Sequence, residues 1–516
     1  MEQKWWTLIA VCVGIFMLLI DITVVNVALP SIQRSLHSNF SDLQWVVNAY
    51  ALTLAALLLT AGSLADLFGR KRLFVIGLVV FTAASLTCGL AQSPVMLNVS
   101  RAVQGIGGAI MLATSLALIA DAFRGRDRAT AFATYGAVIG AAVAVGPLVG
   151  GALTSGLGWR WIFFVNVPIG IGGTLLTLRS VSESRDPGAT RVDWLGLVTF
   201  SGSLFLLVYA LIQGNTKGWG SGEIVGCLAA SVALMIGFVI AELRQERPMF
   251  DLALLRRPAF AGASVVGFAI SASMFAMFLY LTLYIQNVLD FSPFQAGLRF
   301  LPMTVVMFVV APFAGRLTVR LPIRALLAAG LGLTALGLLL MAGLHANSSW
   351  THLLPGFIIG GIGIGLVNPA LASTAVGVVP HNRSGMASGI NNTFRQTGTA
   401  TGIAALGAIF QHEVSSRTLS ALSRTGQLHA VLQGTHGQLS ATFASGATAS
   451  LARGLPPAAA HALVSSFHGA FAGALNEILL IAAAVALAGA VGGLALVRRS
   501  DFITQPSAGS PAAAAA

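Results

Sequence analysis

Apolar residues in this chain come in long, nearly unbroken blocks, and the polar residues fall mostly between them. A helix rises 1.5 Å per residue, so a block of about 20 apolar residues suits a helix that crosses the roughly 30 Å hydrocarbon core of a bilayer. Bounded by charge clusters, Gly/Pro turns and polar stretches, the blocks predict fourteen spans. They lie near 6–28, 43–64, 73–92, 96–119, 131–153, 160–179, 194–213, 223–242, 260–284, 296–315, 323–343, 352–376, 393–411 and 471–496. An even number of spans puts both termini on one side. The alternating strands of about ten residues that a membrane barrel needs are not found. The pattern therefore predicts an all-α integral membrane protein.

Composition agrees with the pattern. Of 516 residues, 56% are hydrophobic and 9% charged, and mean hydropathy is +0.84; an average soluble domain is about a quarter charged. The net charge of +12 would suggest nucleic acid as the partner of a soluble protein. In a membrane protein, cytoplasmic loops collect Lys and Arg. With both termini placed in the cytoplasm of an inner (plasma) membrane, 21 of the 29 Lys/Arg fall on that side and seven on the other, with Arg101 inside a span. Membrane topology thus accounts for the basic charge, and no nucleic acid is expected. The first apolar block runs on through Leu29 without a small-residue cleavage site, so it predicts a span and not a removable signal.

A weak internal repeat organises the spans. Gly62-Ser63-Leu64-Ala65-Asp66 after the second span resembles Gly315-Arg316-Leu317-Thr318-Val319 after the tenth, and Gly105-Ile106-Gly107 resembles Gly361-Ile362-Gly363, at offsets of 253 and 256 residues. Duplicated halves with a substrate site at their interface are a common transporter plan. The expected division is a six-helix bundle over 1–180, two inserted helices over 181–258, a second six-helix bundle over 259–500 with an external loop at 412–470, and a low-complexity disordered tail at 501–516.

Ionisable side chains inside a span cost at least about 2.5–3.5 kcal/mol, so each marks a candidate functional site. Asp21, Arg101 and Glu477 are the clearest. Asp21 and Arg101 fall at similar depths, about 10 and 8 Å below the predicted outer ends of their spans, so they can pair. A carboxylate that exchanges an arginine for a proton is the minimum equipment of an exchanger, and a static ion pair between helices is the alternative. Glu477 reads equally as a coupling residue or an interfacial carboxylate. The short connection holding Gly62, Asp66, Gly69, Arg70, Lys71 and Arg72 is a candidate conformational switch. In the fifth span, Gly146, Pro147, Gly150 and Gly151 predict close helix approach and a kink. Asn26, Asn48, Gln104, Gln286 and Asn368 are candidates to line a substrate cavity or to bond helices together. No lysine stands in a phosphate-binding glycine loop, and His412-Glu413 lacks the second histidine of a metalloprotease motif. The three cysteines suit packing, and the histidines of the outer loop lack ligand spacing. No enzyme activity, cofactor or metal is expected.

Several of these segments together resemble the major facilitator superfamily, in particular its fourteen-span drug:proton antiporters of the multidrug and quaternary-ammonium exporter type. Gly62 to Arg72 resembles the loop motif between spans 2 and 3, and Leu97 to Arg101 with Gln104, Gly105 and Gly107 resembles the span 4 motif. Gly146-Pro147 to Gly151 resembles the antiporter motif, and Asp21 to Pro30 the span 1 signature. Trp45 with Tyr50, Trp159 to Pro168 and Asn391 to Gly398 extend the match. Ala142 departs from it, standing where the antiporter motif usually has glycine. The resemblance implies proton-coupled efflux of lipophilic, often cationic, compounds by alternating access, or else export of one metabolite or self-made antibiotic. It also leaves room for a periplasmic adaptor and outer-membrane channel as partners.

Overall fold

The computed structural model describes residues 2–185, 192–245, 248, 250–379, 384–424, 455–498 and 501–502. The middle of the external loop and residues 503–516 of the tail lie outside them. Every span predicted from the apolar blocks is helical. In order these are α1 (Gln3–Leu36), α2 (Phe40–Phe68), α3 (Arg70–Gly89), α4 (Pro94–Ala122), α5 (Gly125–Gly156), α6 (Trp161–Phe164) with α7 (Asn166–Ser180), α8 (Trp194–Lys217) and α9 (Gly222–Arg244). The second part holds α10 (Pro258–Ile270) and α11 (Ala276–Leu283), α12 (Pro293–Arg320), α13 (Ile323–Met341), α14 (Leu354–Gly377), α15 (Ser384–Arg424) and α16 (Pro457–Leu496). Two π-helical turns, Ser271–Phe275 and Tyr284–Val288, fuse α10 and α11 into one span and continue it.

Local chemistry sets the helix ends. Asn39 and Asp42 form a reciprocal capping box at the start of α2, with bonds of 2.8 and 3.0 Å, and Ser292 with Gln295 does the same for α12. Pro94 and Pro293 occupy first-turn positions, where a missing N–H costs nothing. Three helices run furthest past their predicted ends. α1 continues through Pro30 to Leu36, where His37 at φ 51° stops it. The hairpin of α15 and α16 takes up much of the expected external loop, leaving a connection of only 32 residues, 425–456. α15 also starts at Ser384, ahead of the predicted 393, so Arg395, counted with the cytoplasmic charges, lies well inside the helix.

Thirteen described helical segments are long and apolar enough to cross a membrane. The fourteenth, α15, has the length but carries Asn391, Asn392, Thr393, Gln396 and Thr397 in its first half. It packs on α2, α8, α10 and α16, among protein and not lipid, so its polar residues are tolerated.

The halves repeat. α2 with α4, α3 with α4, α1 with α5, α1 with α7 and α3 with α7 are packed pairs, and the second half pairs α12 with α14, α13 with α14, α10 with α15, α10 with α16 and α13 with α16. A Cβ at Gly105 would lie 2.7 Å from the Tyr50 carbonyl oxygen, and one at Gly361 would lie 2.6 Å from that of Met303. Gly107 and Gly363 meet the backbones of Gly77/Phe81 and Gly330/Thr334 in the same way. These partners sit 253 residues apart and the glycines 256 apart, the two offsets seen in the sequence. The fold is two six-span bundles with the α8–α9 pair inserted between them.

Each half lends two helices to the interface: α5 meets α12, and α2 meets α15. On the face opposite the termini these seams are tied. Phe294 N donates to Ser155 Oγ at 2.9 Å, Gln286 Nε2 to the Val27 carbonyl at 2.7 Å and Gln44 Nε2 to the Ile403 carbonyl at 2.9 Å. Tyr280 Oη donates to the same Ile403 carbonyl, beside a cluster of Phe40, Tyr280, Phe410 and Phe471. Toward the terminal face, Gly136 on α5 and Gly315 on α12 face open space.

Candidate functional site

Asp21 stands near the middle of α1 and is 1% exposed, as is Arg101 on α4. Burying either charge alone would be prohibitive, and the surroundings answer this in full. Arg101 Nη1 donates to Asp21 Oδ2 at 2.5 Å and to Gln104 Oε1 at 2.7 Å. Arg101 Nε donates to the Val46 carbonyl at 3.1 Å. The guanidinium lies 4.4 Å from the centre of the Tyr50 ring, a cation–π distance. The other carboxylate oxygen, Asp21 Oδ1, accepts from Gln104 Nε2 at 3.0 Å and from Asn166 Nδ2 at 3.1 Å. Asn166 Nδ2 also reaches Ser85 Oγ at 3.0 Å, which donates to the Phe163 carbonyl. Cys88 Sγ closes the group 3.6 Å from Gln104 Oε1.

Five spanning segments therefore build one buried, nearly satisfied ionic cluster inside the first bundle. Its tightness rules out a substrate touching Asp21 in this conformation, because neither charged side chain is accessible from the space between the halves. Among the described residues, the second half holds no such buried ion pair. Phe357 occupies the position 256 residues after Arg101 and packs on Phe300 at 5.4 Å between ring centres.

Glu477 lies elsewhere. It is half-buried on α16 and bonds Arg417 of α15 at 2.7 Å, while Arg417 also holds Glu413 at 2.8 Å. Surface pairs of this kind contribute little to stability.

The connection between α2 and α3 is held by a residue that the motif does not contain. The Glu183 carboxylate accepts from the backbone N–H groups of Lys71 at 3.0 Å and Arg72 at 3.1 Å, at the positive end of α3. Gly69 adopts φ +114°, and a Cβ there would collide with that carboxylate. Arg70 pairs with Asp66 at 2.8 Å, and Lys71 Nζ donates to the Leu178 carbonyl. Gly62 faces open space. The glycines of α5 let it lie between two neighbours: Gly146 against the Thr23 side chain, Gly150 against the Val24 backbone and Gly151 against Pro293 and Phe294 of the other half. The Pro147 carbonyl in turn abuts Gly297. Ala142, the departure from the glycine pattern, is fully buried and accommodated.

The candidate cavity residues disperse. Gln104 belongs to the Asp21 cluster, and Gln286 ties the halves together through Val27. Asn48 is fully buried on α2, whereas Asn26 and Asn368 are half-buried. Asn166, Ser85, Tyr50 and Cys88 complete the cluster. Of these, Asn166 and Tyr50 carried a sequence signal only as parts of the wider resemblance.

A family model described as Major Facilitator Superfamily matches residues 11–403. The chain belongs to the Major Facilitator Superfamily. Among curated members of this superfamily, the chain is 38% identical over 404 residues to the Multidrug resistance protein Stp of Mycobacterium tuberculosis (strain CDC 1551 / Oshkosh), covering 78% of this chain and 75% of that one. It is 34% identical over 413 residues to the Tetracenomycin C resistance and export protein of Streptomyces glaucescens, covering 80% and 77%. With the Puromycin resistance protein pur8 of Streptomyces alboniger it shares 36% identity over 414 residues, covering 79% and 82%. Among solved structures, a bacterial homolog to the human lysosomal transporter Spinster superposes with a TM-score of 0.62 at 18% identity, covering 98% of this chain and 99% of that one. That likeness shows the shared fold. The chain is a multi-pass membrane transporter of this superfamily and not an enzyme.

Proposed function

We propose that this transporter expels lipophilic, often cationic, toxic compounds in exchange for protons, with Asp21 as the proton acceptor and Arg101 as the charge that holds it ready. The observation that carries this reading is the ion pair itself. Two opposite charges are buried in the first bundle, one of them titratable, and the repeated position in the second bundle is apolar. Protonating Asp21 cancels its attraction to Arg101 and frees the helices it joins, which is how a proton can bias alternating access. One proton crossing 100 mV releases about 2.3 kcal/mol, enough for more than a tenfold gradient of a neutral substrate.

In this reading both termini are cytoplasmic, in keeping with the distribution of Lys and Arg, and the tied face is the external one. The bundles span 1–180 and 259–500, joined by the helices of 181–258, with substrate held between them. The Gly62–Arg72 connection and the glycines of α5 act as switch and fulcrum, and Glu477 serves the outer surface and not the proton path. Relatives named for resistance to or export of single antibiotics favour, as a second reading, a narrow substrate range. A periplasmic adaptor and outer-membrane channel would extend the export path.

The test uses everted vesicles carrying a proton gradient, to which lipophilic cations are added one by one. Wild-type protein is expected to release protons on addition of a substrate, and Asp21→Asn to release none. Release that persists in the variant overturns the assignment of Asp21.

A further inference from the structure

Protonation of Asp21 raises a question of hydrogen-bond accounting that the cluster itself answers. Oδ2 faces the guanidinium, so the proton goes to Oδ1, which now accepts from Gln104 Nε2 and Asn166 Nδ2. A neutral carboxyl there turns from acceptor into donor and needs an acceptor in place of one of those two N–H groups. Gln104 cannot supply it. Its Oε1 already accepts from Arg101 at 2.7 Å, and turning the amide would point an N–H at the guanidinium. Asn166 can. It is fully buried, its Nδ2 serves both Asp21 and Ser85, and its Oδ1 has no hydrogen-bond partner. An unpartnered acceptor in a buried polar cluster calls for a reason.

We propose that Asn166 is the positioning residue that adapts the site to both protonation states of Asp21, its amide presenting Nδ2 to the carboxylate and turning to present Oδ1 to the carboxylic acid. This rests on Asp21 being the proton site and adds what receives the acid's O–H. The turn exchanges one unpartnered end of the amide for the other, so once the carboxyl is neutral its cost is the hydroxyl bond that Ser85 must redirect. While the carboxyl is charged, the turn would set two oxygens against each other. The Ser85 hydroxyl now accepts from Nδ2 and donates to the Phe163 carbonyl; it follows the turn by swinging its one O–H from that carbonyl to Oδ1, and the proton stays on Asp21 with no covalent bond made or broken. The remaining titratable or charged groups around Asp21 are Arg101 from α4, Tyr50 from α2 and Cys88 from α3. α5 offers no ionisable side chain between Gly136 and Gly156.

The experiment is infrared difference spectroscopy of the full-length protein in lipid across a pH step, beside proton-release profiles from vesicles. The carbonyl stretch of protonated Asp21 is identified as the band missing in Asp21→Asn. Asn166→Leu keeps the branched shape and removes both donor and acceptor, so the band is expected at higher frequency. Losing a donor to the carboxylate and an acceptor for the acid are opposing effects, so the pH profile is expected to move by less than about one unit. Asn166→Ser, whose hydroxyl falls about one bond short, is expected to shift the band the same way and covers the case in which the leucine variant fails to fold. An unmoved band overturns the proposal, as does a profile displaced upward by about one unit or more, which would make Asn166 a donor to the carboxylate alone. If Asp21→Asn retains both band and proton release, the proton site lies elsewhere, and it is that prior assignment that has failed.

Discussion

Arg101 does three things at once: it pairs with Asp21, bonds the Val46 carbonyl and stacks over Tyr50. A lysine offers one compact ammonium without a planar fork, so it cannot serve all three. Arg101→Lys is expected to lower thermal stability by about 3 kcal/mol, at the low end for a disrupted buried pair, and to slow exchange strongly. A melting curve in detergent and a transport assay check the two effects. The pair was legible in the sequence because charge inside an apolar block is expensive enough to stand out. The depth argument counted from a predicted span end at residue 28, whereas α1 itself runs on to Leu36. The neutral members of the cluster were harder to see. Asn166 and Ser85 are common residue types in membrane helices, and only the folded geometry selects them from the other polar residues in the spans. Glu183 was invisible for another reason: it lies over a hundred residues from the backbone N–H groups it caps.

At the scale of helices, the informative positions are those that bear no side chain. Gly151 lets α5 come so close to α12 that a Cβ would lie 2.5 Å from the Pro293 carbonyl oxygen. Gly151→Leu is therefore expected to prise the α5–α12 seam apart on the face opposite the termini and abolish transport, with protein still in the membrane. A disulfide between cysteines placed at Ser155 and Phe294, whose wild-type side-chain oxygen and backbone nitrogen are bonded at 2.9 Å, reads the seam directly. It is expected to form in the parent and to fail in the Gly151→Leu variant. Dense glycine in one span announced close packing in the sequence but did not name the partner, because a small-residue face fits any helix. Span positions were legible because lipid demands long apolar blocks. The ends of α15 and α16 were not, because beyond the bilayer a helix is set by its neighbours and not by hydropathy.

The two bundles repeat one packing plan, yet the molecule is not symmetric. α8 lies across the α2–α15 seam, with Trp45 packed among Phe205 and Tyr209 and with Asn215 Nδ2 donating to the Ala408 carbonyl at 2.6 Å. Phe250, just beyond α9, reaches Phe394 on α15. Asn215→Ala removes one bond between the inserted pair and the second bundle, an effect of about 1 kcal/mol. That shifts a two-state balance by about fivefold toward the form opened opposite the termini. The expected readout is a fall, of up to about fivefold, in the rate of disulfide formation between the cysteines at 155 and 294. The repeat was visible in the sequence as two short matches, but the insertion showed only as extra apolar blocks, with nothing to say where they dock. Their position changes how the molecule meets the bilayer. Among the described residues, α8 shutters one flank of the interface, while the α5–α12 flank carries no such cover. A compound dissolved in the lipid would therefore meet helices of the two halves directly on the α5–α12 flank, and residues there, toward the terminal face, would be the first to screen what enters.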